Sequence, residues 1–309
     1  MLAAVFNEFR NSIKSPDTEE KLDLILYRPA GFLMAKISSY TFITPTMLSI
    51  SGLISGFVAS FYYFYPHRES ALFLGGFYFI LYGIFDSADG QLASISNQST
   101  KLGLILDGIC DSLVTIAIYA SCAWPFLIGH GPLFGVLVAI GLYLHSCQCA
   151  ILDFYHREYL FFGYGKVDND TYWNPSVDDG LKIVENSKPG IEKIMNSLRV
   201  SWIKKQQFLT SRSDSTRSLM RQRLLGGTRE EKDVFMKTYR DNNLWLLPYW
   251  RLVGVNAHTA LLIFFMALGR FDLYVLAFDI IILNLVVLAV GYLQRKSDLK
   301  LFSDLEIEY

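Results

Sequence analysis

The sequence predicts an all-α integral membrane protein with six transmembrane helices, an N-terminal interfacial helix and a cytoplasmic helical insert. Three observations carry this expectation. Of 309 residues, 52% are hydrophobic and 15% aromatic, and the mean hydropathy is +0.29, a balance unusual for soluble domains. Apolar runs near the ~20 residues that a helix needs to cross hydrocarbon recur along the chain. One long polar stretch, residues 153–251, separates the fourth run from the fifth.

Taken in order, residues 19–36 alternate apolar and charged side chains, with Leu22, Ile25, Leu26, Phe32 and Leu33 able to share much of one face. That pattern suits a helix lying on the bilayer surface, with Pro29 marking a kink or a fresh start. The apolar residues 1–6 are too few for the core of a cleaved targeting segment. The six spans fall at residues 46–65, 71–85, 102–129, 131–152, 252–269 and 273–293. The second becomes long enough only if its helix continues through Asp86 to Gly90. The chain thus divides into an interfacial segment (1–43), spans one to four (44–152), an insert (153–251), spans five and six (252–293) and a tail (294–309).

Charge distribution orients these spans. Arg10, Lys14, Lys21, Arg28 and Lys36 precede the first span, whereas only His67 and Arg68 follow it. Lys101 lies in the second connection and Arg270 in the fifth, and Arg295, Lys296 and Lys300 follow the sixth span. Positive residues stay on the cytoplasmic side, so both termini and the insert are expected there. Within the insert, residues 180–198 and 230–239 look helical, while 168–179 and 211–218 look like loops, giving a solvated helical cap on the membrane face or, alternatively, a regulatory or partner-binding element. Cys110, Cys122, Cys147 and Cys149 lack zinc-type spacing and read as buried thiols.

The chemistry concentrates in residues 86–111, DSADGQLASISNQSTKLGLILDGICD, which join the second span to the third. A charge deep in a bilayer costs about 2.5 to 3.5 kcal/mol on insertion scales, so clustered acids here call for a function or a bound cation. Asp86, Asp89, Gly90 and Ala93 share one face of the second helix, and Gly103, Asp107 and Asp111 share one face of the third. Two carboxylate faces can therefore meet near the cytoplasmic surface. An all-oxygen acid set suits Mg²⁺, Mn²⁺ or Ca²⁺ rather than zinc, and a metal binding a diphosphate follows from it. Gly90, Ala93 and Gly103, small and on the same faces, leave room for a ligand.

This pattern resembles the CDP-alcohol phosphotransferase (CDP-alcohol phosphatidyltransferase) signature, D-x2-D-G-x2-A-R-x8-G-x3-D-x3-D. Asp86, Asp89, Gly90, Ala93, Gly103, Asp107 and Asp111 match it in register, and Ser94 stands where the family has Arg. The first span also begins with a Thr-Pro pair, Thr44 and Pro45, followed by Thr46 where the family has Asn. The resemblance implies a metal-dependent transferase using Mg²⁺ or Mn²⁺, held by Asp86, Asp89, Asp107 and Asp111, with Asp111 as general base. It implies that Gly90, Ala93, Ser94, Lys101 and Gly103 line the substrate, with Lys101, Arg157 or Arg251 able to replace the absent Arg charge. The implied partners are a CDP-linked donor, an alcohol acceptor and the lipid bilayer, with no nucleic acid; a homodimer is admitted.

Polar residues around the fourth and fifth spans, His145, Gln148, Asp153, His156, Asn256, His258 and Thr259, are further candidates for an acceptor pocket. Asp279, in the sixth span, is expected to make a structural contact. Three other readings compete. An intramembrane prenyltransferase would need two separated Asp-rich motifs, and a transporter would spread its acids across the bilayer depth. An inactive relative would be explained by Ser94. The orientation makes a direct prediction: labels placed within residues 153–251 and at the C-terminus react from the same side of the membrane as an N-terminal label. An insert labelled from the opposite side contradicts the six-span topology.

Overall fold

The computed structural model describes residues 8–10, 12–13, 15, 17–96, 98, 101–167, 173, 175–210 and 212–307, without the side chains at 101, 102, 104 and 105. The described residues are helical, with no strand among them. A π-helical turn, Asp23–Tyr27, leads into α1 (Arg28–Ser38), and Pro29, which has no N–H to donate, directly follows that turn's junction with α1. The helices that follow are α2 (Pro45–Tyr63), α3 (Glu69–Ile95), α4 (Lys101–His130) and α5 (Pro132–Gly163). The long connection folds as α6 (Val177–Asn186), α7 (Ile191–Leu209), α8 (Asp214–Gly226) and α9 (Arg229–Asn243). Short turns, including α10 (Leu247–Trp250), lead to α11 (Val255–Ala267) and α12 (Phe271–Asp304).

Among the described residues, six helical stretches are long and apolar enough to cross a membrane: α2, α3, Leu106–His130 of α4, α5, Arg229–Ala267 and α12. As the sequence requires, α3 continues past Asp86 through Gly90 without a break. Phe61, Phe73, Ile128 and Leu288 are among many large apolar side chains left exposed, a surface that lipid accommodates and water does not.

The chain divides into two compact units. The first comprises residues 1–142 and 258–280. Here Thr44 caps α2 by accepting from the Met47 amide (3.3 Å), with Pro45 as the first helical residue. Small residues let α2 approach both neighbours. A methyl group on Gly56 would lie 2.5 Å from Val114 of α4, and Ser55 donates to the Tyr78 carbonyl of α3 (2.9 Å). Helix α1 lies on α3, where a side chain on Gly31 would strike Ser87 and Gln91 at 2.9 Å. Tyr27, Phe32 and Ala35 are buried, while Ile25, Leu33 and Ile37 remain exposed. The apolar residues expected to share one face are thus split between the packed side and the outward side. Asp279 does make a structural contact: it accepts from the Tyr119 hydroxyl (2.8 Å), which also meets Tyr274 (2.8 Å), itself 2.9 Å from His258 Nδ1.

The second unit comprises residues 143–257 and 281–309. Two sequence expectations need correction here. The helical stretch expected at 180–198 is two helices, because Pro189 and Gly190, the latter at φ +110°, break the chain between α6 and α7. The loop expected at 211–218 instead starts α8, with Ser213 accepting from the Thr216 amide (3.2 Å) as its N-cap. The expected loop at 168–179 lies largely outside the described residues, and its last positions belong to α6.

A buried ionic network ties this unit together. Arg212, fully buried, donates to both oxygens of Asp298 (2.7 and 3.1 Å), to Glu158 (3.3 Å), to the Tyr239 hydroxyl (2.6 Å) and to Asn243 (3.0 Å). Arg217 adds a second cation on Glu158 (2.9 Å). Burial alone would favour loss of the Arg212 proton, but Asp298, Tyr239 and Glu158 reverse this and hold the guanidinium charged, its pKa raised. Removing one member strands its partners. Arg212→Ala is therefore predicted to cost about 3 to 5 kcal/mol, and Arg212→Lys, which cannot make the two-pronged contact, should recover only part of it. Thermal unfolding in detergent measures this; an unchanged melting temperature for Arg212→Ala contradicts the structural role assigned to the network.

Candidate metal and phosphate site

Helices α3 and α4 both pack against α2 and meet each other through polar side chains. Carboxylate oxygens of Asp86, Asp107 and Asp111 all lie within 4.8 Å of one another. The i, i+4 spacing of Asp107 and Asp111 puts both on the α4 face that Asp86 approaches from α3. Three acids at this separation repel one another unless a cation or protons intervene. Oxygen-only donors on two rigid helices fit a divalent ion of the magnesium type.

Asp89 stands apart from these three. It is 5% exposed and accepts a short hydrogen bond from the Ser49 hydroxyl of α2, which fixes its carboxylate one helical turn from Asp86. The Tyr82 hydroxyl, one turn before Asp86 on α3, donates to Asp111 Oδ1 at 2.5 Å. Neither Ser49 nor Tyr82 was expected from the sequence. Tyr82 carried a faint signal, since residues 82, 86 and 89 follow the i, i+4, i+7 rule on α3. Ser49 carried none, because its contact spans 40 positions of sequence.

Other expected positions fall as follows. Gly90 is exposed, and a methyl group built on it would meet nothing within 4 Å, so there is open space beside the acids. Ala93 is half-buried and Ser94 exposed, one turn further along the same helix. Gly103 is half-buried on α4, and the Lys101 side chain lies outside the described residues. Outside the membrane spans, Tyr27 packs so closely on α3 that a methyl group on Gly83 would lie 2.6 Å from its ring. Burial, then Asp23, Glu20 and Asp86, push the Tyr27 hydroxyl up to about 12, so the field of the acids reaches the N-terminal segment. In the second unit, Arg157 is engaged with Asp153 (2.9 Å), which also accepts from Trp202 (3.2 Å) and Gln206 (3.0 Å). Cys110 and Cys122 are buried as expected, while Cys147 and Cys149 are only partly so.

The fold and site together define a helical multi-pass membrane protein carrying a three-carboxylate cluster on a pair of adjoining helices. Residues 42–161 match the CDP-alcohol phosphatidyltransferase family model. The matched region contains α2, α3, α4, most of α5 and Asp86, Asp89, Asp107 and Asp111. A curated relative, the phosphatidylinositol phosphate synthase of Mycobacteroides abscessus, is 32% identical over 88 residues. The alignment covers 28% of this chain and only 39% of the relative's length.

Proposed function

We propose that this protein transfers a substituted phosphoryl group from a CDP-linked donor to an alcohol, releasing CMP, in the synthesis of a phospholipid or related polar lipid. The observation that carries the reading is the meeting of Asp86, Asp107 and Asp111 within a segment that matches the family. In this reading Asp86, Asp89 and Asp107 hold one or two Mg²⁺ or Mn²⁺ ions. Such an ion offsets the charge that develops on the donor diphosphate. Asp111 takes the proton of the acceptor hydroxyl as its oxygen bonds to the phosphorus remote from cytidine. The bridging P–O bond breaks, and CMP leaves with its electron pair.

The surrounding residues have defined tasks in this scheme. Tyr82 orients Asp111 through its hydrogen bond, and Ser49 holds Asp89. The open space beside Gly90 admits the donor phosphates, because a side chain there would occupy it. Ser94 supports a phosphate by a neutral hydrogen bond where an Arg would grip it with two, and Lys101, at the start of α4, supplies charge. Both termini and the site face the cytoplasm in this reading. The relative's name makes inositol phosphate the first acceptor to try.

The prediction is Mg²⁺- or Mn²⁺-dependent CMP release from one member of a panel of CDP-linked donors and alcohols. Asp107→Asn and Asp111→Asn should each lower turnover by at least about 100-fold while the protein stays folded, the scale typical of losing a metal ligand or a general base. Near-normal CMP release by either variant overturns the mechanism. Failure of every donor in the panel, with diphosphate chemistry on prenyl substrates instead, would favour the prenyltransferase reading.

A further inference from the structure

The side of α3 that carries Ser94 is partly covered by the N-terminal segment. Gly83, Gly90 and Ser94 fall at i, i+7 and i+11 and so share one side of that helix. At Gly83 this side is closed by the Tyr27 ring, whereas at Gly90 it is open and Ser94 is exposed. Arg28, the next residue after Tyr27, is tied to α3 past the first two acids, because Gln91 Nε2 donates to its carbonyl (3.2 Å). Tyr27 and Arg28 therefore bracket the stretch of α3 from Gly83 to Gln91, which bears Asp86, Asp89 and Gly90. The Asp86 charge acts on the Tyr27 hydroxyl, in keeping with this placement.

Arg28 is a cation with unused capacity. Its Nε donates to Glu19 Oε2 (2.9 Å), and its side chain stays 16% exposed. Among the described residues nothing accepts from its two terminal nitrogens, and Glu19, 5% exposed, keeps Oε1 buried without a donor. An arginine fork facing a carboxylate commonly engages both oxygens, so this one-bond pair leaves the fork free. Arg212 is the contrast, since each of its three nitrogens donates to a partner within the protein. The other cations are less suited. Lys36, in the last turn of α1, is engaged by Glu8 (2.6 Å), Lys21 is exposed, and Arg157 belongs to the second unit, paired with Asp153.

We propose that Arg28 donates through its terminal nitrogens to a phosphate oxygen of the CDP-linked donor, so that α1 supplies the charged contact that Ser94 cannot make. The inference rests on the reading of the acid site as a diphosphate site, and it adds to the charge assigned to Lys101. Glu19 holds the guanidinium by Nε alone, which leaves the fork for the phosphate.

The test is calorimetric titration of the full chain, in phosphatidylcholine nanodiscs with Mg²⁺, using CDP as the probe. Arg28→Gln should weaken CDP binding at least about 10-fold, the scale of one lost hydrogen bond to a charged group. Glu19→Gln breaks the same ion pair but keeps the cation, so it should bind CDP at least as tightly as wild type. Adding Ser94→Arg to Arg28→Gln should regain at least about threefold of the lost affinity, which a purely structural role for Arg28 would not allow. Equal binding by wild type and Arg28→Gln, equal loss in Arg28→Gln and Glu19→Gln, or no recovery with Ser94→Arg each overturns the inference while leaving the diphosphate reading standing. Absence of CDP binding by the wild type overturns that reading and the inference together.

Discussion

A carboxylate placed at the end of an apolar helix is tolerable only where water, a cation or a hydrogen-bond donor reaches it, and two helices of this protein carry four such groups between them. Much of the first unit serves that constraint. Gly56 and Ser55 let α2 pack closely on both α3 and α4, which brings their acid-bearing ends together. Ser49 and Tyr82 then donate to two of the acids, Asp89 and Asp111. Asp86, Asp107 and Asp111 remain close enough to repel. In the proposed chemistry, a divalent ion held by these acids would relieve that repulsion.

The second unit meets the same problem differently. There the buried acids Glu158 and Asp298 are paired within the protein by Arg212 and Arg217. The geometry is saturated, with Asn243, Tyr239 and Gln294 completing the hydrogen bonds. One acid cluster is thus closed by the protein's own cations and the other is suited to an external one. That contrast separates a structural role from a chemical role more clearly than burial or acid content alone.

What could be read from the sequence follows from the range of the interactions involved. Spans were legible because a run of about 20 apolar residues matches the thickness of a bilayer's hydrocarbon core and is rarely needed in water. The acids of α3 and α4 were legible because helical spacing fixes which of them share a side. The break between α6 and α7 was obscured by apolar periodicity continuing across Pro189 and Gly190. The start of α8 was hidden because a Ser-rich stretch reads equally as a loop or as an N-cap. Ser49 and the Arg212 network were not legible at all, since Arg212 finds its partners 54 and 86 positions away. Pairings of that separation are made by the tertiary fold and leave no local pattern.

The central claim is that Asp86 and Asp107, beside Asp111, hold a divalent cation. Electron paramagnetic resonance of Mn²⁺ with the purified protein tests it without reference to turnover. The wild-type protein should deplete the free Mn²⁺ signal, and Asp86→Asn, with one carboxylate made neutral at constant volume, should weaken binding about 10- to 100-fold. Arg212→Lys, in the other unit, should leave Mn²⁺ affinity unchanged. Equal Mn²⁺ binding by wild-type and Asp86→Asn protein would contradict the account.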